Sequence, residues 1–164
     1  MELILADEAA TACAGAALAR SLPDIGGCNL LLSLSGELGS GKTTLARGLL
    51  RALGVTGSVR SPTFTLVEPY DTVRGRVHHL DLYRLEPGAP ALEGLGFRDI
   101  RGAPGLVLVE WPERAGAALG DADLAVQLAH EGTGRRLSLS ARGESGRAWL
   151  EASRPLLEDC DVSR

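Results

Sequence analysis

The residues best suited to chemistry stand together at Gly36-Glu37-Leu38-Gly39-Ser40-Gly41-Lys42-Thr43. Three glycines without a Cβ let the backbone curl and turn successive N–H groups inward. A helix starting near Lys42 would add the positive end of its dipole to that concavity. Polyphosphate suits such a site. Lys42 would reach the β- and γ-phosphates, and the Thr43 hydroxyl would ligate Mg²⁺. The eight residues match the phosphate-loop pattern G-x-x-x-x-G-K-[ST] in full. The competing reading is a chance match in a chain with 21 glycines.

The flanking sequence argues against chance. Leu30–Leu34 is an apolar run that reads as a buried strand. Thr44–Leu53 carries apolar residues at helical spacing, and Gly54 is a stop signal. Lys42 is also the only lysine among 17 Lys plus Arg. A compact ammonium fits a crowded phosphate loop better than a planar guanidinium. Guanine-specific GTPases read the base with an Asn/Thr-Lys-x-Asp motif, which this chain cannot form with Lys42 already placed. ATP is therefore favoured over GTP.

A phosphate loop needs acids near its metal, and in open α/β sheets these stand at carboxyl ends of strands. Leu106-Val107-Leu108-Val109-Glu110 is a continuous apolar run ending in an acid, the Walker B pattern. Val77-His78-His79-Leu80-Asp81 is a weaker version. Spacing alone leaves open which acid holds Mg²⁺ and which orients the attacking water. Thr63 and Thr65 follow Pro62 in a loop leading into a strand. They are either γ-phosphate-sensing hydroxyls or β-branched strand residues. Trp111, directly after Glu110, is either a core residue or an anchor beside the nucleotide facing a partner.

The elements that must position these groups alternate between strand and helix. Glu2–Ala6 reads as a strand, and Asp7 as the cap of a helix through about Arg20. Thr65–Tyr70 and Arg76–Leu82 read as strands around an Arg74-Gly75 turn, with Pro69 marking an edge or end. A short helix is expected around Ala91–Leu95, and a loop or short helix over Pro112–Leu119. Leu124–Ala129 and Arg135–Ala141 suit an antiparallel pair, and Glu144–Leu157 a closing helix kinked or ended by Pro155. The expected fold is a three-layer α/β phosphate-loop NTPase. Its mixed, mostly parallel sheet carries antiparallel edge strands, all in one domain over residues 1–164.

Composition narrows the function class. A net charge of −4 argues against a large nucleic-acid-binding surface. The cluster Arg74, Arg76, His78 and His79 reads as a solvated hairpin. Cys13, Cys28 and Cys160 have no metal-ligand spacing and are expected as reduced thiols of a cytoplasmic protein. Neither Ala9–Ala19 nor Cys28–Leu34 is long enough to span a bilayer, and Glu2 and Asp7 do not suit a signal peptide.

Four segments together resemble the TsaE (YjeE) family: Gly36–Thr44, Ser61–Tyr70 (SPTFTLVEPY), His79–Leu85 (HLDLYRL) and Val109–Pro112 (VEWP). The first is generic to phosphate-loop proteins, and the second and third are specific. The resemblance implies an ATPase of the pathway that makes threonylcarbamoyladenosine in tRNAs reading codons that begin with A. It implies association with TsaD and TsaB, tRNA contact only through that complex, and slow ATP hydrolysis that resets the complex. Carried onto this chain, Thr43 and Glu110 would bind Mg²⁺, with Asp81 a further candidate ligand. Lys42, Asp81 and Glu110 would be catalytic. Gly36 through Thr44 would bind ATP, with Glu8 on the adenine side and Arg135 a further contact. Ser61, Thr63 and Thr65 would form a switch, presenting Phe64, Tyr70 or Trp111 to the partner. Two other readings stay open: a small-molecule kinase, and a non-hydrolysing nucleotide-dependent interaction module.

Overall fold

The computed structural model describes residues 1–59, 62, 66–86 and 89–161. Of the expected switch, Ser61, Thr63, Phe64 and Thr65 lie outside the described residues.

The first strand, β1 (Glu2–Leu5), leads into α1 (Glu8–Arg20). Asp7 caps α1, its carboxylate accepting from the Ala10 N–H at 2.8 Å. Such a cap contributes about 1 kcal/mol. β2 (Asn29–Gly36) runs into the glycine loop, and α2 (Lys42–Ala52) leaves it. The hairpin β3 (Val67–Thr72) and β4 (Gly75–Asp81) follows. Two short helices, α3 (Ala89–Glu93) and α4 (Phe97–Gly102), precede β5 (Gly105–Glu110). Two 3₁₀ turns over Pro112–Arg114 and Gly116–Leu119 lead to the hairpin β6 (Leu124–Glu131) and β7 (Gly134–Ala141), and then to α5 (Gly143–Glu158).

The described strands form one sheet in the order β1-β7-β6-β2-β5-β4-β3. Its centre, β6-β2-β5-β4, is parallel, while β4–β3, β6–β7 and β7–β1 pair antiparallel. The sheet is thus evenly mixed rather than mostly parallel, and the antiparallel pairs flank the parallel centre as expected. Pro69 sits in the edge strand β3, where its missing N–H costs no central ladder bond.

Helices cover both faces. α1, α2 and α5 bury Leu30, Leu32, Leu34, Leu106 and Leu108 on one face. α3, α4 and the 3₁₀ turns bury Leu31, Leu80, Leu82, Val107 and Val109 on the other. Because the central strands are covered twice, β5 is buried at every residue, which explains its unbroken apolar run. α1 and α2 cross backbone to backbone. A Cβ on Gly15 would lie 2.1 Å from the Leu45 carbonyl oxygen, and one on Gly48 2.2 Å from that of Ala12. This close crossing sets the start of α1 beside the start of α2.

Three further expectations need correction, and one helix carries no signal in the sequence. α5 continues through Pro155, because Leu157 is fully buried and holds the last turn on the core. α4 was not foreseen, since six residues carrying only Phe97 and Ile100 as large apolar groups give no helical period. The basic hairpin is only partly solvated: Arg76 pairs with Asp71 at 2.7 Å, but His79 is fully buried. Cys13 and Cys160 are not free thiols but a disulfide with Cα atoms 6.0 Å apart, and Cys28 alone is free. The pair is 147 residues apart in sequence and meets only because α5 packs on α1. No helix among the described residues is long and apolar enough to cross a membrane.

Candidate functional site

The glycine loop sits at the carboxyl end of β2, between the ends of its parallel neighbours β5 and β6. A Cβ on Gly36, at φ 140°, would lie 2.2 Å from the Leu128 carbonyl oxygen, so only glycine allows the chain to leave the sheet there. A cleft of about 420 Å³ opens above the loop. Leu38, Gly39, Gly41, Lys42, Thr43 and Thr44 line its floor. Asp81, Tyr83, Glu110 and Trp111 line one side, and Glu8 and Arg135 also border it.

Lys42 is folded back on its own loop. Its Nζ donates to the carbonyls of Gly36 at 2.7 Å and Glu37 at 2.8 Å. The same ammonium lies 3.8 Å from the Trp111 ring centroid, in cation–π contact. Burial lowers its pKa, and the charges of Glu110, Glu113 and Asp81 oppose that shift. Trp111 is held at φ 60°, a left-handed conformation that costs a bulky residue about 1–3 kcal/mol. Its backbone N–H donates to the Leu34 carbonyl at 3.1 Å, and its ring meets Tyr83 at 4.9 Å between centroids.

Thr43 donates its hydroxyl to Glu110 Oε2 at 2.9 Å. The second oxygen, Oε1, lies 2.9 Å from His79 Nε2, and Glu110 is 1% exposed. Asp81 stands level with Glu110 in the β4–β5 register and accepts from the Tyr83 N–H at 3.0 Å. Glu8 receives Arg47 at 2.6 Å and the Thr44 hydroxyl at 3.4 Å. Arg135 lies against Gly41, and its Nε is buried without a hydrogen-bond partner among the described residues.

These features fit a nucleotide and its metal. The Ser40 hydroxyl within the loop is buried and unpartnered among the described residues, as is Arg135 Nε against Gly41, so the site has unused donors. Thr43 and Glu110 offer hard oxygens, the kind Mg²⁺ takes. No cluster of three His, Cys, Asp or Glu that could hold a metal occurs among the described residues. Two oxygens rather than a full cage suit Mg²⁺, which keeps waters and draws its remaining ligands from substrate phosphates.

The family model described as "Threonylcarbamoyl adenosine biosynthesis protein TsaE" matches residues 5–137. The chain belongs to the TsaE family. A Haemophilus influenzae member, named tRNA threonylcarbamoyladenosine biosynthesis protein TsaE, is 38% identical over 123 residues, covering 75% of this chain and 77% of that protein. A Nostoc protein of the same name is 40% identical over 115 residues, covering 69% and 68%. The crystal structure of Bacillus subtilis YdiB superposes with a TM-score of 0.77 at 26% identity, covering 94% of both chains. The TsaE match runs well beyond the stretch from Ser35 to Pro112 that carries the sequence motifs, taking in α1, β6 and the start of β7.

Within this TsaE-family fold, Glu8, Lys42, Thr43, Thr44, Asp81, Glu110, Trp111 and Arg135 converge on one cleft. Trp111 faces that cleft and is only half-buried, so it is not simply a core residue. Tyr70 is not part of it; it packs against the core on the α1 side. Two side chains escaped the sequence reading. Tyr83 lies in the HLDLYRL segment, where only its motif membership pointed to it. His79 stands among the hairpin charges in sequence, although strand alternation puts it on the same face as Asp81.

Proposed function

We propose that this protein is a magnesium-dependent ATPase of the phosphate-loop NTPase class, one domain over residues 1–164, acting in threonylcarbamoyladenosine modification of tRNA. The carrying observation is the Thr43–Glu110 hydrogen bond beside Lys42 at the mouth of the glycine loop, with Asp81 on the adjoining strand end. The pathway rests on family membership and on the names of the relatives.

On this reading, Gly36 through Thr44 cradle the phosphates, and Lys42 leaves its loop carbonyls to neutralise them. Glu8 and Arg135 border the nucleoside side. Thr43 and Glu110 would hold Mg²⁺, with Asp81, lining the same cleft, a further candidate ligand. Bound magnesium supplies charge stabilisation on the phosphoryl oxygens. Asp81 orients the water that attacks the γ-phosphorus, so that ATP and water give ADP and phosphate. Ser61, Thr63 and Thr65 sense the γ-phosphate. Trp111, touching Lys42 directly, couples occupancy of the loop to the surface offered to TsaD and TsaB. We assign the protein to the cytoplasm, with tRNA reached only through that complex.

The test has three arms. Incubation of ATP with a metabolite panel should release phosphate and leave no phosphorylated metabolite; a phosphorylated product would favour a kinase. Binding to purified TsaD–TsaB should differ between ADP and a non-hydrolysable ATP analogue, and Trp111→Ala should shrink that difference. A ligand shifts such an equilibrium only by its differential affinity. Equal affinities would refute the gating. Normal threonylcarbamoyladenosine levels in a strain lacking the protein would refute the pathway.

A further inference from the structure

Glu110 is a buried carboxylate, and a buried charge persists only where donors satisfy it. Thr43 addresses one oxygen, and His79 the other, both at 2.9 Å. The strand geometry explains the second contact. β4 and β5 are parallel neighbours with Asp81 opposite Glu110 and His79 opposite Leu108. Val77, His79 and Asp81 alternate onto the face covered by α2. Asp81 reaches the cleft. His79 lies two residues back, about 6.6 Å deeper along the strand, and ends beneath Glu110.

His79 makes one polar contact that the structure accounts for, and leaves one nitrogen unmatched. Its Nδ1 is buried with no hydrogen-bond partner among the described residues. For Nε2 to bond a carboxylate oxygen it must carry a proton, and in the neutral ring Nδ1 is then a bare acceptor. A core tolerates an unpaired acceptor better than an unpaired N–H. Even so, an unmatched buried polar atom costs about 1–3 kcal/mol. An apolar ring of similar size would pack there without that cost, so packing alone does not account for a histidine.

We propose that His79 is a positioning residue. Its Nε2–H holds Glu110 in the orientation that sets Oε2 against Thr43, and thereby fixes the oxygens that receive Mg²⁺. This rests on the magnesium–ATP reading above. Magnesium demands near-octahedral ligands at about 2.0–2.1 Å, so a carboxylate free to swing is a poor partner. Losing a group that orients a metal ligand typically weakens metal affinity about 10–100-fold.

The experiment titrates a fluorescent ATP analogue into wild type and His79 variants, once with Mg²⁺ and once with EDTA. The EDTA arm reads Lys42 and the loop; the ratio of the two arms reads the metal. His79→Leu and His79→Asn, the one without a donor and the other too short to reach Glu110, should cut the metal-dependent gain about 10–100-fold. Their EDTA affinity should stay within about twofold of wild type. His79→Gln, whose amide can still donate toward Glu110, should recover most of the gain. Electron paramagnetic resonance of Mn²⁺ bound to the protein–nucleotide complex gives the same comparison without hydrolysis. If His79→Leu does not fold, the Gln and Asn variants carry the test between them. Equal metal-dependent gain in all variants would overturn the proposal. So would a loss of equal size with EDTA, which marks a packing role. An absent metal effect in wild type would overturn the magnesium reading itself, and the inference with it.

Discussion

Lys42→Ala should weaken ATP binding about ten- to hundredfold while leaving the protein folded. The size follows from what the ammonium does without ligand. It donates to two loop carbonyls at 2.7 and 2.8 Å and lies 3.8 Å from the Trp111 ring. Binding is therefore an exchange, in which neutral carbonyls are given up for charged phosphate oxygens. A charge-assisted hydrogen bond is worth about 1.5–3 kcal/mol, and the relinquished contacts keep the net near that range. That corresponds to roughly ten- to hundredfold in affinity. The effect on stability should be smaller. Burial lowers the Lys42 pKa, so the folded state opposes this charge, and its removal offsets part of the lost bonding. Lys42→Arg should fail to restore affinity, because a planar guanidinium does not fit between the loop carbonyls and the indole. Calorimetric titration with ATP, paired with thermal unfolding of each variant, measures both quantities. Wild-type affinity in a folded Lys42→Ala protein would refute the assignment of the loop to phosphate.

Three further outcomes are expected. Glu110→Ala should weaken ATP binding with Mg²⁺ but not with EDTA, whereas Asp81→Asn should bind normally and lose at least about a hundredfold in turnover; wild-type hydrolysis by Asp81→Asn would end its assigned role. Cys13→Ser removes a cross-link between residues 147 apart, for which chain entropy sets a ceiling of about 5 kcal/mol. Urea unfolding should show a loss of about 2–5 kcal/mol under oxidising conditions and none relative to wild type under reduction; a difference that persists in reductant would refute the cross-link as its cause. Burial, and then the Arg76 guanidinium, hold His78 below its ordinary pKa of 6.5, with Asp71 opposing. The unfolded chain then takes up the proton first, so this contribution to stability is lost as pH falls from about 6.5 towards the folded-state pKa and is constant below it. Urea melts of wild type and His78→Gln between pH 7.5 and 5 should diverge in that window, and parallel curves would refute it.

What was legible in the sequence was local. Asp7 announces its helix because a cap is a contact over three residues. β5 announces itself because a strand covered on both faces must be apolar throughout. Pro69 marks an edge because proline lacks the N–H a central strand needs. The glycine loop, Asp81 and Glu110 read as one site because all three stand at strand ends, and they line one cleft. What escaped was set by tertiary packing. The β6–β7 hairpin follows from its alternation, but the antiparallel pairing of β1 with β7 joins segments far apart in the chain, and no local pattern encodes it. The Cys13–Cys160 bond depends on the same long-range meeting of α1 and α5. Pro155 sits inside a helix because burial of Leu157 outweighs a local penalty of about 3 kcal/mol. His79 reads as surface charge because it stands in one short stretch with Arg74, Arg76 and His78; only alternation along β4 turns it inward.

Lys42 is the chain's one lysine, and it stands buried in the first turn of α2. A lysine-specific endoprotease therefore has a single bond to cut, between Lys42 and Thr43, and cannot reach it in the closed fold. The rate of that cut measures how often the glycine loop and the start of α2 open, locally or with the whole fold. The two products stay joined through Cys13 and Cys160, so one band without reductant becomes two with it. Proteolysis thus reads the breathing of the glycine loop as a gel pattern, with no label and no engineered residue.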